Sequence, residues 1–354
     1  MRKTKVLIID DSALVRRLLT DVLEADPSIE VVGVAPDPLI AIRKIRDLGP
    51  DVLTLDIEMP KMDGLTFLSR LMRTNPMPVV MFSSLTQRGA DATMKALSLG
   101  AIDFVTKPKI RLSESIEDLK LDLVSKVKAA STAKIRKAVS PPDLMVPPKL
   151  DADAIIKAER SSPAREGTKV LVIGSSTGGT VAIEQILNSL PADAPPTLIV
   201  QHMPPVFTNS FAKRVNDLSA MTVLEAQDND ELREGVALIA PGGKHMLVNR
   251  GPRGCYVRIK EGPPVNRHIP SVDVLFRSAA NTLGPNAIGV ILTGMGDDGA
   301  RGMKEMRESG AFTIAQDEES CVVFGMPKVA VEMGGVCRVL PLSAIAGFIL
   351  NRQE

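Results

Sequence analysis

The chain has 354 residues, more than one domain usually needs, and 44 % of them are apolar, enough to fill more than one core. A formal net charge of +1 and an aromatic content of 3 %, with no tryptophan and Tyr256 the single tyrosine, exclude a basic, base-stacking nucleic-acid surface. Cys255, Cys321 and Cys337 are odd in number, far apart and without metal spacing, so they read as reduced packing thiols. The apolar run 6–9 is too short for a signal peptide, and no run approaches the ~18 apolar residues of a membrane span. A cytoplasmic protein without membrane insertion is expected.

In chain order, β-branched runs at 5–10, 29–35, 51–56, 78–84 and 103–108 alternate with amphipathic stretches. These carry Leu14, Leu18 and Val22, then Leu39, Ile42 and Ile45. Such alternation predicts a parallel, doubly wound sheet with right-handed crossovers. Apolar groups at Ile116, Leu119, Leu123 and Val127 predict a helix over 113–129. The pattern then lapses into an Ala- and Pro-rich stretch with scattered charges, basic in its first half, which reads as a solvated tether with one short helix near 151–159. Strand patterns resume at 169–174, 196–202, 221–226, 235–240, 245–250, 255–260, 287–294 and 311–316. Helical stretches lie at 180–190, 271–283 and 299–309. The expected organisation is a first domain over 1–123, a flexible linker over 124–166 and a second α/β domain over 167–354, with an antiparallel insertion around 235–260.

Asp10 and Asp11 end the first predicted strand and Asp56 ends the third, so all three face one crevice of a parallel sheet. Their mutual repulsion calls for a divalent cation, and Mg²⁺ prefers such oxygen ligands. A carboxylate beside Mg²⁺ can attack a phosphoryl group. Lys107, after the fifth strand, can pair with the phosphate, and Ser83, after the fourth, can donate to it. Acids also cap helix starts in many α/β folds, and Asp10-Asp11-Ser12 alone would prove little. The full ordered set, with Asp-x-x-Met-Pro-x-Met-Asp-Gly from Asp56 and Lys-Pro at Lys107, resembles the receiver domain of two-component response regulators over about 3–122. The resemblance implies a five-stranded flavodoxin-like fold and phosphotransfer from a histidine kinase to Asp56. It implies Mg²⁺ held by Asp11, Asp56 and the Glu58 carbonyl, with Asp10 in support. It also makes Ser83 and Phe104 reporters of the phosphate, although Phe104 reads equally well as core.

In the second domain, the loop 174–179 (Gly-Ser-Ser-Thr-Gly-Gly) follows a strand and opens a helix. It is compatible with a phosphate loop, an ordinary turn or a nucleophile turn of the G-x-S-x-G kind, centred on Ser176. Dinucleotide and Walker patterns are absent. Of the three histidines, His202 ends the next strand and is the best-placed base. His245 and His268 are open to a substrate-contact or a structural reading. Asp297 and Asp298 open a helix, where the dipole favours acids, or one of them orients the imidazole. The backbone around 294–296 offers an oxyanion hole.

Together with Gln-His-Met-Pro at 201–204, Pro-Ser-Val-Asp at 270–273 and Thr-Gly-Met-Gly-Asp-Asp-Gly-Ala at 293–300, the segment 168–352 closely resembles the catalytic domain of the chemotaxis protein-glutamate methylesterases. That resemblance implies a Rossmann-like hydrolase domain in which Ser176 is nucleophile, His202 general base and Asp298, directly before Gly-Ala, the acid. Thr177 and the Met295 backbone N–H are implied as helpers, and no cofactor is needed for the ester chemistry. The implied substrates are glutamate methyl esters, and certain glutamines, of methyl-accepting chemotaxis receptors, served by a monomer. The receiver is expected to cover the Ser176 cleft until Asp56 is phosphorylated. The alternatives are a phosphorelay-controlled serine esterase of a non-receptor ester, a pure docking protein, and a DNA-binding regulator, against which the lack of a basic recognition helix speaks.

Overall fold

The computed structural model describes residues 2–59, 62–84, 86–107, 114–133, 150–158 and 169–351. The chain divides into two compact units, Met1–Asp143 and Leu144–Glu354. Pro60, Pro108 and the side chain of Ile116 lie outside the described residues, as does the basic stretch after Ala133.

The first unit alternates β1 (Thr4–Ile9), α1 (Ala13–Glu24), β2 (Ile29–Ala35), α2 (Pro38–Leu48), β3 (Val52–Asp56), α3 (Gly64–Thr74), β4 (Val79–Ser83), α4 (Gln87–Ser98), β5 (Asp103–Thr106) and α5 (Glu114–Thr132). The five strands pair in parallel in the order β2-β1-β3-β4-β5. The chain leaves β1 on one side and returns on the other, so a crevice opens between β1 and β3. Val6, Ile8, Val52, Val80, Phe82 and Val105 pack against Leu19 and Leu23 of α1 and Leu119, Leu123 and Val127 of α5. Helices start where the sequence offers a cap: Ser12, Asp37, Asp63 and Thr86 each accept a backbone N–H three residues on. The apolar stripe expected on α1 holds at Leu18 and Val22, which join the core, whereas its first member and the stripe expected on α2 are corrected. Leu14, Leu39 and Ile42 are 71 %, 59 % and 40 % exposed, and α2 buries Pro38 and Ala41 instead, small residues that let it lie close to the sheet.

The second unit opens on residues 150–158, with one 3₁₀ turn at Ala152–Ala154. It continues through β6 (Val170–Ser175), α6 (Gly179–Asn188), β7 (Thr197–Gln201), α7 (Phe207–Asn216), β8 (Thr222–Glu225) and β9 (Val236–Ile239). Then come β10 (His245–Gly251), β11 (Gly254–Lys260), α8 (Val272–Thr282), β12 (Ala287–Ile291), α9 (Ala300–Glu308), β13 (Phe312–Gln316), α10 (Met326–Glu332), β14 (Arg338–Leu340) and α11 (Leu342–Leu350). Seven strands pair in parallel in the order β14-β13-β12-β6-β7-β9-β8. The antiparallel insertion is the hairpin β10–β11, whose second strand also pairs antiparallel at Tyr256 with Glu231. β9, expected within it, joins the main sheet between β7 and β8, where Ala237, Leu238 and Ile239 are all buried. The hairpin packs Val248 and Val257 against Leu275 and Phe276 of α8.

The stretch assigned by composition to a linker is ordered at both ends. α5 carries helix to Thr132, and residues 150–157 pack on the second unit. Among the described residues, no helix is long and apolar enough to cross a membrane.

Candidate functional site

In the first unit, Asp10 and Asp11 follow β1, Asp56 ends β3, Ser83 ends β4 and Lys107 follows β5. Adjacent parallel strands thereby deliver all of them to the carboxyl edge of the sheet. One oxygen each from Asp10, Asp11 and Asp56 lies within 4.8 Å of the others. Asp10 and Asp56 are buried, while Asp11 is exposed at the mouth. Lys107 Nζ sits 2.8 Å from Asp56 Oδ1 and 3.5 Å from Asp10 Oδ2. Burial raises the Asp56 pKa to about 6 against the pull of Lys107, and Asp10 adds to the rise. Asp10 is raised for the same first reason. Asp10 Oδ2 and Asp56 Oδ2 are buried and make no hydrogen bond among the described residues, so this all-oxygen cradle fits a hard divalent cation.

The Glu58 N–H donates to Asp56 Oδ1 at 3.3 Å. Ser83 Oγ donates to Gly89 O (3.2 Å) and accepts from Thr93 Oγ1 (2.7 Å), so α4 engages its hydroxyl. Phe104 is buried, with Lys126 Nζ 5.1 Å from its ring centroid and bonded to its carbonyl at 2.6 Å.

In the second unit the strand order reverses at β6, which has β7 on one side and β12 on the other. Ser176 directly follows β6 and His202 directly follows β7, one step beyond the paired residues Ser175 and Gln201. Gln201 ties the two ends together. Its Nε2 donates to Ser176 O (2.9 Å) and His202 O (3.2 Å), and its Oε1 accepts from Ser175 Oγ (2.7 Å). The loop after β12 lies against the Ser176 turn: Ser176 N donates to Thr293 O at 3.1 Å, and a Cβ added at Gly294 would sit 2.8 Å from Ser176 Cβ. Glycine is required there for close approach.

The same loop carries Asp298, whose Oδ2 is 2.7 Å from His202 Nε2. Asp297 is only half-buried, and the buried Asp298 makes the imidazole contact. Asp298 also accepts from Val272 N (2.7 Å), Ser271 Oγ (2.8 Å), Asn266 Nδ2 (2.9 Å) and Asp273 N (3.2 Å), and so caps the positive start of α8. Burial alone would raise its pKa. The His202 bond and charge, then His268 and Asn266, outweigh it and hold the carboxyl well below the usual range.

An anionic Asp298 fixes the His202 hydrogen on Nε2. Nδ1 is then the basic nitrogen; it is buried and makes no hydrogen bond among the described residues. The His268 ring stacks on His202 at 3.7 Å between centroids and 11° between planes. His245 is fully buried, accepting Ser271 N–H at Nδ1 (3.2 Å) and donating from Nε2 to Pro263 O (3.0 Å). It is framework rather than a substrate contact. The Gly294 N–H, one of those expected to line an oxyanion hole, is used on Val323 O (3.1 Å). Met295 follows it in the same loop, and Thr177 is buried next to Ser176 in the turn after β6.

Gln201, Asn266, Ser271 and the first turn of α8 were not identified from sequence. Gln201 had a local signal, its place beside His202, whereas Asn266 had none.

The family model described as CheB methylesterase matches residues 171–349, and that described as response regulator receiver domain matches residues 6–117. A Geobacter metallireducens protein named protein-glutamate methylesterase/protein-glutamine glutaminase 3 is 52 % identical over 352 residues, 99 % of each chain. Another from that organism, bearing the same name with the number 1, is 54 % identical over 341 residues, 96 % of this chain and 93 % of its own. The crystal structure of the Thermotoga maritima CheB methylesterase catalytic domain matches with a TM-score of 0.52 and 39 % identity, covering 53 % of this chain and 100 % of that one. With half the chain in the family match and relatives of this identity along almost its whole length, the chain belongs to the CheB methylesterase family, with a response regulator receiver domain at its N-terminus.

Proposed function

We propose that this chain is a phosphorylation-activated esterase that hydrolyses glutamate methyl esters on chemotaxis receptors and deamidates certain receptor glutamines. The observation that carries the reading is the buried His202–Asp298 pair beside Ser176, with His202 Nδ1 left as an acceptor. Ser176 Oγ attacks the γ-glutamyl carbonyl while its proton passes to His202 Nδ1. The oxyanion is assigned to the Met295 backbone N–H, with Thr177 assisting. Collapse of the tetrahedral intermediate expels the methoxy group, which takes the proton from His202 and leaves as methanol. Water then gives a proton to His202 and attacks the acyl-serine, releasing the glutamate side chain and restoring Ser176. With a glutamine substrate the leaving group is ammonia.

The receiver sets when this happens. A histidine kinase is the assigned phosphodonor, Asp56 the acceptor, and Asp10, Asp11, Asp56 and the Glu58 carbonyl the Mg²⁺ ligands. The cation would supply charge neutralisation between carboxylates and phosphoryl oxygens. Lys107, already 2.8 Å from Asp56, neutralises from the other side. Ser83, held by α4 in this state, would exchange its bonds to Gly89 and Thr93 for one to the phosphoryl group, with Phe104 responding. The relatives' names and the receiver family match support this assignment.

The test is release of methanol, and of ammonia, from receptor-bearing membranes by the wild type and by Ser176→Ala. Loss of both products in a folded variant is expected. Undiminished release would overturn the assignment of Ser176, and release from free esters alone would favour a non-receptor substrate.

A further inference from the structure

Residues 150–157 are bound to the second unit along their length. Leu150 O accepts from Asn266 N (2.8 Å), Ile155 O from Lys260 Nζ (2.8 Å), Ile156 O from an Arg277 guanidinium nitrogen (3.2 Å) and Lys157 O from Asn281 Nδ2 (2.9 Å). Asp151 pairs with Arg301 at 2.7 Å. Asp153 pairs with Arg277, a buried guanidinium whose other partner is Glu305 at 2.6 Å. Ala152 and Ile155 are buried against Leu247, Val265 and Val274. A slack tether would leave these carbonyls to water, whereas here each has a fixed donor.

The first of these bonds falls on the residue that also holds Asp298. Asn266 lies in the left-handed region at φ +50°, which asparagine tolerates. Its Nδ2 donates to Asp298 Oδ1 (2.9 Å) and to Asp273 Oδ2 (2.6 Å), making it the shared donor of two buried acids. Burial and the neighbouring Asp298 charge push Asp273 up to about 7, so the bridge sits where charge repulsion is concentrated. In the same loop, Val265 and His268 exchange both backbone hydrogen bonds (3.0 and 2.9 Å), which fixes the ring stacked on His202. A continuous path of bonds thus runs from Leu150 through Asn266 and Asp298 to His202.

We infer that residues 150–157 form a strap that positions the catalytic acid through Asn266, as a working part of the esterase rather than the end of a passive linker. The inference rests on the assignment of His202 and Asp298 as base and acid. Asn266 is a positioning residue, acting through Asp298.

The experiment uses the full chain and methanol release from membranes carrying methylated receptors, with kcat and KM separated and thermal unfolding followed on each variant. Asn266→Asp keeps the shape and the left-handed backbone but replaces the donor with a third carboxylate oxygen. Its kcat is expected to fall roughly 10–100-fold with KM within about twofold, the scale of a misplaced catalytic group. Ile155→Asp puts a charge into the strap's buried cluster and should lower kcat in the same way. If Ile155→Asp does not fold, Asp153→Ala, at a side chain 62 % exposed, loosens the strap without burying a charge and should give a smaller fall.

The double variant of Asn266→Asp with the strap substitution should be no slower than Asn266→Asp alone, because both break one path. Wild-type kcat in Asn266→Asp, or strap variants that lose only thermal stability, would overturn the inference, as would multiplicative losses in the double variant. Absence of methanol release from the wild type would instead overturn the esterase reading on which it rests.

Discussion

Asp298→Asn tests the acid with the least change of shape. The carboxylate uses both oxygens: Oδ1 accepts from Ser271 Oγ, Asn266 Nδ2 and Asp273 N, and Oδ2 accepts from His202 Nε2 and Val272 N. An asparagine side chain has one acceptor oxygen. Turned to keep the donors on the Oδ1 side, it presents its NH₂ to His202 and Val272. The Val272 N–H is then buried without an acceptor, at a cost of about 1–3 kcal/mol. The larger consequence is for the rate. His202 must now accept at Nε2, so its hydrogen moves to Nδ1, the nitrogen assigned to take the Ser176 proton. The corresponding tautomer error in a serine–histidine–aspartate hydrolase lowers kcat about 10,000-fold, and a fall of roughly 1,000- to 10,000-fold is expected here. That is about 4–5.5 kcal/mol of transition-state stabilisation. The assay is methanol release from methylated receptor membranes with saturating phosphodonor, alongside urea unfolding of the same preparation. A kcat within tenfold of wild type in a folded variant would refute the reasoning.

Three further outcomes are expected. Gly294→Ala places a methyl group 2.8 Å from Ser176 Cβ and 2.3 Å from Met326 Sδ. It should cut kcat by about 100-fold or more, while a variant at full activity would show that the two loops need not touch. His245 is held below its ordinary 6.5 first by burial and then by Lys260, against Pro263 O and Asp298. Below about pH 6.5 the unfolded chain therefore binds a proton that the folded chain resists. The His245 contribution is full above that pH and falls on acidification, so the urea-midpoint advantage of the wild type over His245→Gln should shrink between pH 7 and 5.5; an unchanged difference would contradict it.

In the receiver, Lys128 pairs with the buried Asp26 at 2.7 Å. Lys128→Met leaves that carboxylate without its cation and should destabilise the receiver by about 3 kcal/mol near neutrality. Burial acts to raise the Asp26 pKa, but Lys128 and Ser28 hold it below 3.8. The pair's contribution is present above pH 3.8 and lost as pH falls through the lower folded value, so the variant and wild type should converge in strong acid.

What the sequence discloses follows from how local each feature is. Asp10, Asp56, Ser83, Lys107, Ser176 and His202 all sit at or just beyond strand ends, so short strand patterns were enough to place them together at sheet edges. Asp298 was reached through its motif, and the His202 bond separates it from Asp297. Asn266 escaped notice because its role depends on a left-handed turn, on Leu150 more than a hundred positions away and on the start of α8. The strap escaped for the same reason: an Ala- and Pro-rich composition reads as tether, and only the donors on Lys260, Arg277 and Asn281 make it structure. Periodicity misled at Leu39 and Ile42, where small residues on another face of α2 make the contact with the sheet. β14 spans only Arg338–Leu340, too short for an alternation to register.

The central claim is that charge placed on Asp56 governs chemistry at Ser176. The most direct measurement is the rate of methanol release from methylated receptor membranes before and after a small-molecule phosphodonor is added with Mg²⁺, for wild type, Asp56→Asn and Ser176→Ala. The account predicts acceleration of the wild type, an unaccelerated basal rate for Asp56→Asn and no release by Ser176→Ala. Equal acceleration of wild type and Asp56→Asn, or release by Ser176→Ala, would contradict it.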